Sequence, residues 1–76
     1  MHDFKADLER IRAAFVEERR RIARSAITVA EAHKAPHPST SMCVDIRALQ
    51  ETIEVIDRAI ADENRLAPTS SKPVMG

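Results

Sequence analysis

Glycine, cysteine and aromatic residues are scarce in this chain: one Gly, one Cys, two Phe, and neither Tyr nor Trp in 76 residues. Each shortage excludes something. A single glycine leaves few turn residues for a β-sheet, and the high charged fraction, 32%, suits long helices instead. One cysteine, Cys43, rules out an intrachain disulfide and fits a reducing compartment, so the chain is expected to be cytoplasmic. Long hydrophobic runs are missing as well. The longest uncharged, apolar-leaning run in the helical part, residues 25–30, falls far short of the roughly 20 residues of a membrane span, and no signal peptide is visible. Nor is there an excess of either charge. Twelve basic and twelve acidic residues cancel, which removes any overall electrostatic case for nucleic acid or an anionic membrane.

What the chain does have is helical periodicity. From Met42 the apolar positions Met42, Ile46, Leu49, Ile53, Ile56 and Ile60 recur at alternating steps of four and three, continuing through Glu63 to Ala67. That spacing keeps one face of an α-helix apolar and forms a coiled-coil seam that another element must cover. Residues 3–34 carry a matching stripe of Phe4, Leu8, Ile11, Phe15, Ile22, Ala26 and Val29, with Asp3 as a candidate N-cap and Asp7 and Glu9 near the positive end of the helix dipole. A second stripe, Ala13, Val16, Arg20, Ala23, Ile27 and Ala30, runs beside it. The corresponding second stripe of the later helix, Ala48, Thr52, Val55, Ala59 and Leu66, is thinner.

Between the two segments, Pro36 and Pro38 each lack a backbone donor and disfavour helical geometry in the residue before them, so a loop is expected over 35–41. Ser39, Thr40 and Ser41 all offer a cap for the next helix, which should cover 42–67 and stop at Pro68. Residues 68–76 lack periodicity and are expected to be a disordered tail. The fold expected is all-α: an antiparallel two-helix hairpin centred near Pro38, opposing Val29 with Ile46, Ile22 with Ile53, and Phe15 with Ile60. That register brings Arg12, Arg19 and Arg21 toward Asp45 and Asp57. It also sets Glu18 and Glu63 at seam positions, where polar residues fix register at a cost in stability.

A chain of this size buries only roughly 60% of the surface its unfolded form exposes, and small folds need a disulfide, a metal or self-association. With two stripes on the first helix and one hairpin partner to cover them, a homodimer completing a four-helix bundle is expected. The self-association seam would be Phe15, Ile22, Val29, Ile46, Leu49, Ile53, Ile56 and Ile60. Partner-binding candidates are Phe4, Leu8, Ile11, Val16, Arg20, Ala23, Arg24 and Ile27, on the second stripe or at the open end of the first helix.

Chemistry is sparse. The cluster Arg19, Arg20, Arg21 and Arg24 fans around the helix, so its members cannot all meet one phosphate backbone, and pairing with Glu17 and Glu18 accounts for it more simply. Nucleic-acid binding through Arg12, Arg20, Arg21 and Arg24 is the alternative. His33, His37 and Cys43 have zinc-ligand side chains but number only three, with prolines between them and no motif spacing. Cys43 near a helix start lacks the pocket a nucleophile needs. Neither metal nor cofactor is expected, and the function expected is that of a small non-enzymatic interaction module, an adaptor or regulator that binds itself and a partner protein.

Overall fold

Asp3 opens the first helix as its sequence suggests: the carboxylate accepts the Ala6 N–H at 2.9 Å, satisfying one of the donors that a helix start leaves unpaired. The structure, a computed structural model, describes residues 2–66. Helix α1 runs Phe4–Ala32 and helix α2 runs Thr40–Leu66, and no strand occurs among the described residues. The expected tail at 68–76 lies outside them. No described helix is long and apolar enough to cross a membrane.

The chain turns back earlier than its prolines suggest. Beyond His33, Lys34 adopts a left-handed backbone with φ 54°. Its N–H donates to the Glu31 carbonyl at 3.1 Å, while the Ala35 N–H reaches the Ala30 carbonyl at 2.8 Å. This pair of bonds is a Schellman motif, which occupies carbonyls that the helix end would otherwise leave bare. The position is normally glycine, and this chain supplies none there. Pro36 follows two residues later, where it cannot continue the helix. Helix α2 then begins with the Cys43 N–H donating to the Ser39 carbonyl at 3.1 Å, two residues ahead of the expected start at 42.

Two hydrogen bonds cross between the helices and set their register. Arg12 Nε donates to Asp57 Oδ1, and Arg19 Nη1 to Gln50 Oε1, each at 2.6 Å. Arg12 and Arg19 are seven residues apart, and so are Asp57 and Gln50: the two bonds are one heptad apart. They bring Leu8 level with Ile60, Phe15 with Ile53, and Ile22 with Ile46. Between these layers lie Arg12 with Ile56, Arg19 with Leu49, and Ala26 with Met42.

That corrects the expected register by one heptad. Because both seams repeat every seven residues, sliding one helix past the other by that amount buries nearly the same faces, and the apolar pattern alone does not choose. Reversal at Lys34 and the two polar bonds do. The correction strands Val29, which would now stand level with Ser39 in the turn and is 41% exposed. Ile11, also assigned to the stripe, is 44% exposed. Arg12 and Arg19 take seam places instead, half-buried, their stems across the seam and their heads at its edge.

The resulting core is thin. Among the described residues only Ala26, Ala30, Ile53 and Ile56 are buried, and Ile53, 1% exposed, is the one large side chain fully enclosed. Phe15, Ile22, Ile46, Leu49 and Ile60 are half-buried.

Candidate interaction surfaces

A helix advances about 100° per residue, so the seam divides each helix into two flanks. The partner-binding candidates of α1 do not share one. Leu8 is half-buried in the seam itself. Phe4 and Ile11 project to one flank, beside Ala14 and Val29. Val16, Ala23 and Ile27 project to the other with Arg20, and Arg24 points away from α2.

What α2 adds to each flank separates them further. Glu18, Arg21 and Ile22 of α1 border one open recess together with Asp45, Ala48 and Leu49 of α2. The Ile11 flank therefore continues onto the side of α2 that carries Ala48, Thr52, Val55, Ala59 and Leu66. This was the thinner stripe of the later helix. Phe4, Ile11 and Val29, displaced from the seam, now complete it. Of the seven large apolar side chains that stand exposed among the described residues, Phe4, Ile11, Val29, Val55 and Leu66 lie on this flank, Ile27 lies on the other, and Val44 faces outward.

The second flank is mixed. Arg12 and Arg19 send their heads to it, and its α2 half is Cys43, Gln50, Asp57 and Asn64. Its apolar character comes from α1 alone, through Val16, Ala23 and Ile27.

Several charged side chains on the first flank have partners within the chain. Arg21 grips Glu18 through two parallel bonds, Nε to Oε1 at 2.9 Å and Nη2 to Oε2 at 2.5 Å. The hydrogen bond from Arg21 holds the Glu18 carboxyl below the ordinary glutamate range, and the bond to Glu18 raises Arg21 in turn. Asp7 pairs with His2, whose ring packs edge-on against Phe4 with centroids 4.7 Å apart. Asp62 pairs with Arg65. Phe4 is thus an exposed ring with one side already braced.

The arginine cluster is engaged. Arg20 holds Glu17 at 2.9 Å, Arg21 holds Glu18, and Arg12 holds Asp57, whereas Arg24 has no carboxylate partner among the described residues. His37 Nδ1 lies 2.8 Å from the Pro38 carbonyl, and Cys43 is a free, exposed thiol. No group of three or more His, Cys, Asp or Glu side chains stands close enough to hold a metal among the described residues. No family model, characterised protein or solved structure matches this chain.

Proposed function

We propose that this protein is a non-enzymatic helical interaction module, an adaptor or regulator that self-associates into a four-helix bundle and binds a partner protein by helix packing. The observation that carries the reading is the disproportion between what the hairpin encloses and what it leaves out. Among the described residues four are buried, two of them large, Ile53 and Ile56, while seven large apolar side chains stand in solvent. A second hairpin supplies the missing half of a closed core. The two flanks suit two kinds of contact. Permanent interfaces resemble a domain core cut in half, and exchangeable ones are more polar. The Ile11 flank, with Phe4, Ile11, Val55 and Leu66 set among paired charges, is the more apolar and suits the first, and the Val16, Ala23 and Ile27 flank, edged by Arg20 and the polar side of α2, suits the second.

Light scattering coupled to size exclusion tests the first half. A dimer of the 8.5 kDa chain at micromolar concentration supports it, and a monomer that unfolds cooperatively removes it. The arginines fit a structural role better than a nucleic-acid one, because three of the four candidates already hold carboxylates. Binding of DNA or RNA that weakens steeply with salt and is lost in Arg20→Ala/Arg24→Ala would reverse that preference.

A further inference from the structure

We infer that the flank formed by Phe4, Ile11 and Ala14 of α1 and by Val55, Ala59 and Leu66 of α2 is the surface on which a second copy of this chain docks, about a twofold axis parallel to the helices. The inference rests on the self-association reading and names its face and geometry.

Three observations select a copy of the same chain as the occupant. First, the flank is complementary to itself. A twofold axis parallel to the helices lays α1 of one copy over α2 of the other without changing level along the bundle. At two levels large then meets small, Ile11 facing Ala59 of the second copy and Ala14 facing Val55, and at the open end two large side chains meet, the braced Phe4 ring covering Leu66, which is 72% exposed in the single hairpin. Second, the charges allow it. Glu18 with Arg21 and Asp62 with Arg65 are ion pairs inside one chain, and Asp7 is hydrogen-bonded to His2, so most charges of the face already have a partner when two identical faces meet. Asp45 and Glu63 have no such partner among the described residues, and the same rotation carries Asp45 toward Arg21 of the second copy, since those two side chains border one recess within each chain. Third, the area suffices. Helices of 27 and 29 residues are about 40 Å long, and two side by side are about 20 Å wide. The flat face is then about 800 Å² per copy, the size of a standard stable interface. The opposite flank fails the first condition, because its α2 half is Cys43, Gln50, Asp57 and Asn64.

Glutamate substitutions on the full-length chain, followed by light scattering and sedimentation across a concentration series, test the assignment. Ile11→Glu and Val55→Glu are expected to weaken the dimer at least about tenfold, while Ile27→Glu on the other flank leaves it intact. If Ile27→Glu gives monomers and Val55→Glu remains dimeric, the face is wrong although self-association stands. A monomeric wild type overturns both readings. Where Val55→Glu unfolds because the hairpin needs its partner, Val55→Ala replaces it: the concentration dependence of its melting midpoint should shift from wild type, and no shift there together with one for Ile27→Ala counts against the assignment. Orientation is read separately by attaching a spin label at Cys43 in each copy, or at Leu66→Cys in a Cys43→Ser background. Distances limited by the width of the bundle at both ends, shorter for Leu66→Cys in the interface than for Cys43 on the outer flank, fit the parallel axis, and distances near the helix length of about 40 Å at both ends, with labels at opposite ends of the bundle, reject it.

Discussion

Lys34→Gly should stabilise this protein, which is an unusual expectation for a substitution that introduces glycine. Lys34 sits at φ 54°, where its Cβ crowds the following carbonyl. A left-handed conformation costs a residue with a Cβ about 1–2 kcal/mol, and glycine removes that cost while adding about 0.5–1 kcal/mol of unfolded-chain entropy. The Schellman bonds from Lys34 to Glu31 at 3.1 Å and from Ala35 to Ala30 at 2.8 Å use backbone atoms only, so both survive the change. The net gain is about 0.5–1 kcal/mol. For a chain of this size that raises the melting temperature by about 2–8 °C. Thermal unfolding followed by far-UV circular dichroism reads it, with protein concentration held fixed because self-association makes the midpoint concentration-dependent. Lys34→Ala is the control: it deletes the same charge, keeps a Cβ, and should leave the midpoint near wild type. If glycine is no more stable than alanine at this position, the turn at Lys34 is wrong, and with it the register that follows from it.

Other substitutions examine the seam, the cap and the acid limb. Ile53→Ala should cost about 2–5 kcal/mol, a large part of what a fold this small possesses, and remove cooperative unfolding in urea; Val29→Ala should cost under about 1 kcal/mol, and equal losses at the two sites would favour the register in which Val29 faces Ile46. A double-mutant cycle on Arg12 and Asp57 should return a coupling of about 0.2–1 kcal/mol that shrinks with added salt, and zero coupling at low salt contradicts the cross-helix bond. Asp3→Ala should lose about 1 kcal/mol through the bare Ala6 N–H, read as a lower denaturation midpoint. Glu18 has a carboxyl pKa lowered in the folded chain, so its contribution is full above the ordinary glutamate range and fades as pH falls through the lowered value. Glu18→Gln should therefore flatten the acid side of the stability profile and leave the neutral side unchanged in slope.

The helices themselves were legible in the sequence because their causes are local. Alternating four and three spacing identifies α2 as an amphipathic helix whatever lies beside it, and the Asp3 cap and the proline loop need only neighbouring residues. The expected seam positions of α2 from Met42 to Ile60 do face inward, each half-buried or buried. Register was not legible in the same way. A seven-residue repeat matches itself after a slide of seven, and the residues that choose between registers, Arg12 with Asp57 and Arg19 with Gln50, look like ordinary surface charges and amides until the turn is located. The turn in turn depends on Lys34 accepting a conformation that sequence assigns to glycine. Displacing Ile11 and Val29 from the seam then rearranged the candidate surfaces, since the thin stripe through Val55 and Leu66 became half of a broad flank only when α1 supplied the rest.

Self-association is the claim on which the surfaces depend, and sedimentation equilibrium of the purified full-length chain over a hundredfold concentration range measures it most directly. The data should fit a monomer–dimer equilibrium that reaches twice 8.5 kDa at micromolar concentration, with helical signal and dimer fraction falling together on dilution. A constant mass of 8.5 kDa across the range, with full helicity retained at the lowest concentration, would contradict it.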